Sequence, residues 1–485
     1  MVISVRRNLA WMVFSQAILA IIQFSGSVAM ARLLVPREMG IYAVAAAVVG
    51  ILNMIRSFGL SSIVIRESEL TIFSIRTFFT INLFLDVICS IFIIAVSELG
   101  SRILADPGVG KVLQILAIGP ILHIFEFLPS ARLERAGAFR TIAFISVFKT
   151  VINIGVTIFL AYAGFSYMSI AWGTTAMSIF SLVIFNTLGW QYVSLRPCLQ
   201  EWRRIAGFGL KMLTITTVGG ITSRLTDLFI GWLINLSALG LYSRAAGLNS
   251  LLWDNLHLII ARVVFVDFAE QHRRGISFRE SYLRIVAMLT VFLWPASLGL
   301  AIFARPLIFT IYGSSWLGAA LPLSLMSIAG VFYTSVTMTH ELYLVSGEMN
   351  RQVKVELKRN VIGTVLFGLG CLGGLALAAA SRIGDAILTI VLVKKDLERI
   401  TNTHPLDYTH IYLQSAGLTL LACGPAAVLM VVNDWSEYTP IKSVISSIAV
   451  GCCAWIAGLW YVRHPLYREL LAIALRAKTR SVSKT

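Results

Sequence analysis

Charged side chains are scarce in this chain: Asp, Glu, Lys and Arg make up 13% of 485 residues, about half the share of a soluble domain. With 57% hydrophobic residues and a mean hydropathy of +0.82, that deficit excludes an ordinary soluble fold and reads as an all-α polytopic membrane protein. Cysteine is equally uninformative for redox or metal chemistry. Cys89, Cys198, Cys371, Cys423, Cys452 and Cys453 show no C-x-x-C or other ligand spacing, and a vicinal pair is no disulfide framework. Nucleotide and hydrolase signatures are missing too: there is no Walker A motif, no H-E-x-x-H and no G-x-S-x-G. No ATP hydrolysis is expected of the chain itself, no cofactor is implied, and an enzymatic role is not expected. No polar connection is long enough for a folded domain outside the membrane.

What is present is a succession of apolar runs. A span needs about 20 apolar residues, and the pattern predicts about fourteen, near 10–31, 38–60, 77–99, 111–131, 139–162, 167–189, 207–234, 240–266, 283–304, 318–344, 355–372, 374–393, 411–432 and 442–462. The basic residues before the first run resemble a signal peptide, but the run continues to about Leu34 and reads as an uncleaved span. The longest polar stretches, Asp267–Tyr282 and Lys394–His410, are expected as short amphipathic surface helices. With every second loop on one side, 28 of the 40 Lys and Arg residues fall on the side of the termini and 6 on the other. The positive-inside rule then puts both termini in the cytoplasm. The formal charge of +16 is explained by anionic lipid headgroups, and nucleic acid is not implied.

The stretch Gly219–Asn249 organises the rest. It begins as an apolar helix bearing Arg224 and Asp227, breaks near Asn235, and restarts with Gly240-Leu-Tyr-Ser-Arg244. About 200 residues earlier, Gly40-Ile-Tyr-Ala follows another apolar helix and a short polar break. A repeat of that size implies two homologous halves. Six spans per half is even, so the repeats are parallel, giving two six-helix lobes (1–195 and 196–400) and two additional C-terminal helices with a basic tail (401–485). Pro120, Pro295 and Pro425 fall inside spans and free backbone carbonyls there.

Ionised side chains inside a bilayer cost at least ~2.5 kcal/mol each on insertion scales, so each is expected to face a cavity or a partner. Three i,i+3 pairs are suited to mutual neutralisation: His123 with Glu126, Arg224 with Asp227, and Arg382 with Asp385. Ser146, Lys149, Asn153 and Thr157 fall on one stripe of the fifth span, and Arg244, Asn255 and Arg262 nearly align on the eighth, with Asp254 to one side. Gln16, Gln23 and Ser27 share a face of the first. Such stripes suit a polar cavity between two lobes, and equally suit helix–helix hydrogen bonding within one lobe.

ARLLVPREMGIYAVAAAVV at 31–49, FGLSSIVIRESEL at 58–70, LTDLFIGWLINLSALGLYSRAAGL at 225–248 and ARPLIFTIYGSSWLGAALPLSLMSIAG at 304–330 together resemble the polysaccharide-transporter family of bacterial flippases, within the multidrug/oligosaccharidyl-lipid/polysaccharide exporter superfamily. The resemblance covers most of residues 1–400. It implies two six-helix lobes, often with two further helices, in the bacterial inner membrane, and alternating-access export of an undecaprenyl-diphosphate-linked oligosaccharide for exopolysaccharide, capsule or O-antigen. On that reading Lys149, Asn153, Arg224, Asp227, Arg244 and Asn255 line the transport cavity, and Arg224, Arg244 and Lys149 balance the diphosphate. Asp227 matches the family's aspartate in the seventh span, either as the site of a coupling ion (H+ or Na+) or as the counter-charge to Arg224. Implied partners are the lipid-linked oligosaccharide, membrane lipids and polysaccharide polymerase or export machinery. A drug/cation antiporter and a peptidoglycan-precursor flippase of the same superfamily stay open. A polysaccharide polymerase or ligase would need a sizeable external loop, which the sequence lacks.

Overall fold

Inside lipid a spanning segment must satisfy its own N–H and C=O groups, which an α-helix does within itself. The computed structural model is accordingly helical, with no strand among the described residues. It describes residues 2–57, 59–67, 70–103, 106–189, 196–464 and 466–467, without the side chains at 2–15, 17, 57, 103, 208, 210–219, 253–259 and 262–263. Among these, ten helical segments are long and apolar enough to cross a membrane. The contacts divide the chain into two compact units, Met1–Gly240 and Leu241–Thr485.

The first unit holds α1 (Val2–Leu33), α2 (Pro36–Ser57), α3 (Leu60–Arg66), α4 (Ile72–Ile103), α5 (Pro107–Leu116), α6 (Ile118–Arg135), α7 (Phe139–Tyr162), α8 (Met168–Gly189), α9 (Trp202–Leu233) and the first turn of α10 (Leu236–Arg273). Proline at the first helical position marks the start of α2 and of α5. Asp106 caps α5 by accepting from the Gly108 amide at 2.8 Å. α7 packs along α8 and α1, α6 along α8 and α4, and α2 along α9. Leu60, Phe78, Phe79, Phe127, Leu128 and Ile205 form a buried cluster joining α3, α4, α6 and α9.

The second unit continues α10 and adds α11 (Arg279–Ile302), α12 (Ala304–Tyr312), a 3-10 turn at Ser314–Ala319, α13 (Ala320–Ser335), α14 (Thr339–Val345), α15 (Met349–Leu372), α16 (Leu375–Thr401), α17 (Pro405–Val432) and α18 (Ile441–Tyr461). The two expected amphipathic surface helices do not exist as separate elements. The first stretch carries α10 on to Arg273, turns at Gly275 and opens α11. The second carries α16 to Thr401, breaks at Asn402 (φ 54°) and starts α17. That start is a capping box, with the His404 amide donating to Asp407 Oδ2 at 2.8 Å and Pro405 at the first helical position. Pro295 lies inside α11, and having no N–H it frees the carbonyl of Val291, four residues back. The Trp455 indole of α18 donates to that carbonyl at 3.1 Å.

Several elements of the two units correspond in length and position. α1 and α9 each have 32 residues, starting at Val2 and Trp202. α7 and α15 each have 24 residues. Each is bracketed by left-handed glycines, Gly137 and Gly164 around the first, Gly347 and Gly374 around the second. Tyr42 in α2 bonds Thr174 of α8 at 3.1 Å; Tyr242 in α10 accepts from Arg382 Nε of α16 at 2.9 Å.

Candidate functional site

In the first unit, helical periodicity lines up polar side chains on five neighbouring helices. Asn82 and Asp86 are one turn apart on α4, and His123 and Glu126 one turn apart on α6. Arg56 ends α2, Lys149 and Asn153 share a face of α7, and Ser181 projects from α8. Asp86 has no solvent exposure at all. Its Oδ2 accepts from Asn82 Nδ2 at 2.8 Å and lies 3.1 Å from His123 Nδ1. Its Oδ1 is paired with Arg56 Nη1 at 3.3 Å. Glu126 Oε1 accepts from Lys149 Nζ at 3.0 Å and from Ser181 Oγ at 2.5 Å. The Lys149 ammonium also stands 5.8 Å from the Phe185 ring centre. They form two sets, Asp86 with Arg56, Asn82 and His123 on α2, α4 and α6, and Glu126 with Lys149 and Ser181 on α6, α7 and α8. A carboxylate removed from water is tolerable only with such compensation.

The expected pairing of His123 with Glu126 is replaced by one across helices, His123 to Asp86 and Glu126 to Lys149, because α4 and α7 bring oppositely charged atoms closer. Arg224 and Asp227 on α9 approach to 4.0 Å, with side chains 41% and 25% exposed. A Cβ on Gly50 would lie 2.7 Å from Arg224 Nε, so the missing side chain on α2 is what admits the guanidinium. In the second unit Arg382 donates to Tyr242 and lies over Phe367 at 4.4 Å. Asp385 there accepts from the Tyr333 hydroxyl at 2.5 Å.

The polar stripe of α7 is turned towards α8. Asn153 Nδ2 approaches Met177 Sδ at 3.8 Å, and the wholly buried Thr157 stands where a Cβ on Gly173 would come within 2.0 Å of its hydroxyl. Asn153 and Thr157 both touch α8, while Lys149 stays a quarter exposed. Arg244, at the start of α10, is 8% exposed and lies in the second unit. Its guanidinium stands 5.5 Å from the Trp316 ring and 5.8 Å from that of Tyr312, an aromatic setting that stabilises a cation. The side chains of Asn255, Asp254 and Arg262 lie outside those described. Asp86, Arg56 and Asn82 escape sequence reasoning. The signal was a lone aspartate within a predicted span, whose ionisable partners, Arg56 and His123, are distant in sequence. Among the described residues no group of three or more His, Cys, Asp and Glu is placed to hold a metal ion.

The fold is that of known membrane transporters. A solved structure titled "Lipid II flippase MurJ, inward closed conformation" matches with a TM-score of 0.73 at 13% identity, covering 96% of this chain and all of that one. An inward-facing multidrug resistance MATE family transporter of the MOP superfamily matches with a TM-score of 0.57 at 15% identity, over 79% of this chain and 95% of that one. Among curated sequences, an uncharacterized membrane protein in the cps region of Klebsiella pneumoniae is 20% identical over 96% of each chain. The lipopolysaccharide biosynthesis protein WzxC of Escherichia coli (strain K12) is 20% identical over 78% of this chain and 76% of its own. The succinoglycan biosynthesis transport protein ExoT of Rhizobium meliloti (strain 1021) is 24% identical over 67% and 66%. The sequence profile of the family described as "Polysaccharide biosynthesis protein" matches residues 29–321, and the chain belongs to that family.

Proposed function

We propose that the protein is a flippase that moves a lipid-linked oligosaccharide, carried on undecaprenyl diphosphate, across the bacterial inner membrane for polysaccharide biosynthesis. The observation that carries this reading is the likeness over most of the chain to relatives named for lipopolysaccharide and succinoglycan biosynthesis, joined to cationic side chains held within the spans. A diphosphate and a hydrophilic glycan need such groups to cross a medium of low dielectric. Lys149, Asn153, Arg224 and Asp227 of the first unit and Arg244 of the second serve the transport path, with Asn255 added from sequence alone.

The architecture behind it has fourteen spans, both termini in the cytoplasm, two six-helix repeats related by an axis along the membrane normal, and two further helices at 401–485. In support, the ten apolar segments together with α1, α9, α10 and α15 number fourteen. Undescribed side chains interrupt α1, α9 and α10, and Glu356, Lys358 and Arg359 charge the first half of α15. Matched helix lengths and glycine brackets favour the repeat. Transport by alternating access is driven by an ion gradient, with Asp227, Asp86 and Glu126 as the carboxylates to test. Partners are the lipid-linked substrate, the surrounding lipids and a polymerase or export machinery.

Deletion tests the function. Loss of cell-surface or secreted polymer, restored by the wild-type gene, with lipid-linked oligosaccharide retained on the cytoplasmic face, is expected. Loss of viability with normal polymer would favour a peptidoglycan-precursor flippase, and drug sensitivity alone would favour a small-molecule antiporter.

A further inference from the structure

A crevice of about 190 Å³ opens in the second unit where the end of α16 meets the start of α17. Its volume is below the ~300–1,000 Å³ that holds a whole drug-sized ligand, so it takes part of a larger molecule. Ile390 and Leu397 of α16 form one wall, and Tyr408 and Tyr412 of α17 the other. The two rings are stacked at 5.9 Å. Their hydroxyls are already engaged, Tyr412 with the Ser335 carbonyl at 2.7 Å and Tyr408 with Thr403 at 2.7 Å. What the tyrosines offer the crevice is therefore ring face, an apolar surface held rigid at both ends.

Lys394 and Glu398, one turn apart on α16, also line it. Their charged atoms stand 3.9 Å apart, beyond hydrogen-bond reach. Glu398 Oε1 is buried and has no hydrogen-bond partner among the described residues. A buried carboxylate oxygen without a donor is costly, so a donor that enters the crevice is favoured. The Lys394 side chain is half exposed and presents up to three donors to an anion. A ligand matching this pattern carries a phosphate and a primary ammonium a few ångströms apart, on an apolar tail. Tyrosines at a helix end are the pattern of the membrane–water boundary.

We infer that this crevice binds a phospholipid whose headgroup bears a phosphate and a primary ammonium, with phosphate on Lys394, ammonium on Glu398 and the start of an acyl chain against Ile390, Leu397 and the tyrosine faces. The inference stands apart from the transported substrate. The purified full chain in detergent tests it by native mass spectrometry with equal amounts of phosphatidylethanolamine, phosphatidylcholine and phosphatidylglycerol. Retention of phosphatidylethanolamine about tenfold over the other two is expected. Phosphatidylcholine has the same charges but no ammonium hydrogens, and phosphatidylglycerol has the phosphate alone. Glu398→Gln should erase the preference over phosphatidylcholine, and Lys394→Gln should weaken retention of all three. Lys395→Gln, on the same helix but not lining the crevice, should change nothing. Should the Glu398 variant fold poorly, Ile390→Phe narrows the crevice and should lower bound phosphatidylethanolamine without lowering the melting temperature in lipid-free detergent. Equal retention of the three lipids, a preference for phosphatidylglycerol, or an equal effect of Lys395→Gln would overturn the inference.

Discussion

Gly40 and Gly240 are packed reciprocally. A Cβ on Gly40 would lie 1.7 Å from the Leu236 carbonyl oxygen, and one on Gly240 would lie 1.9 Å from the Pro36 carbonyl oxygen. Pro36 and Leu236 are the first residues of α2 and α10, so each glycine sits in the second turn of one helix against the first residue of the other. The backbones meet with no side chain between them, the close approach that small residues permit in membrane helices. Gly40→Ala or Gly240→Ala must move a backbone, not a side chain. Overpacking costs ~1–3 kcal/mol and occasionally more, so either change should lower the melting temperature of the purified protein clearly. Gly119→Ala, with nothing within 4 Å of its Cβ, should leave it unchanged or slightly raised. Equal melting of all three variants would sink the close-crossing account.

The Asp86 set yields a double-mutant test. Asp86→Asn keeps the shape and the Asn82 contact but strips Arg56 of its counter-charge and leaves His123 facing a neutral amide. Removing one partner of a buried pair costs ~3–5 kcal/mol, while removing both is often close to neutral. Membrane abundance should fall in Asp86→Asn and recover in Asp86→Asn/Arg56→Met. If polymer export recovers with it, the pair is structural. Export that stays absent at normal abundance assigns Asp86 to transport itself.

Arg224 and Asp227 differ from that set in being part-exposed, with their nearest charged atoms 4.0 Å apart. A pair this loose contributes less to the fold than one in hydrogen-bond contact. Arg224→Ala should therefore leave abundance near wild type while export falls. Asp227→Asn reduces export if the carboxylate only orients the arginine, and removes its dependence on the proton or sodium gradient if it carries the coupling ion. Restoration of wild-type export in Arg224→Ala/Asp227→Asn would rule out a transport role for either.

Gly50→Ala displaces Arg224 without replacing it. Its Cβ would come 2.7 Å from Arg224 Nε, and a flexible side chain yields more readily than a backbone. The expected outcome is a normally melting protein with export reduced in the same direction as in Arg224→Ala. Unaltered export would show that the guanidinium position is immaterial.

Between α14 and α15, hydrogen bonds from Arg399 hold the Glu348 carboxyl below its ordinary value, one of them Nη1 to Oε1 at 2.8 Å. A depressed carboxylate stabilises the fold above its unfolded pKa, ~4.3, and loses that contribution as pH falls through the folded value. Wild type should melt slightly above Glu348→Gln at pH 7, and the gap should close below about pH 4. A gap that persists in acid would mean that packing, not charge, is responsible.

The apolar runs and the near absence of polar connections determined the class of protein, because a bilayer admits few backbone solutions. Family membership was legible in the stretches around Gly40 and Gly240, where close helix contact restricts the residue type. Lys149, Arg224 and Glu126 were legible as residues needing compensation inside spans, whereas Asp86 and Arg56 were not singled out. Which partner compensates which was not legible. Sequence spacing offered His123 to Glu126, whereas packing of α4, α6 and α7 joined His123 to Asp86 and Glu126 to Lys149. The stripe of Lys149, Asn153 and Thr157 was correctly periodic, yet only the position of α8 decided that Asn153 and Thr157 face a neighbouring helix. Arg244 likewise reads as one more charge near a break, until α12 and the following turn bring Tyr312 and Trp316 over it. Helical periodicity is local and survives in one dimension. Charge pairing at 3 Å depends on which faces of distant helices meet, and tertiary packing alone settles that.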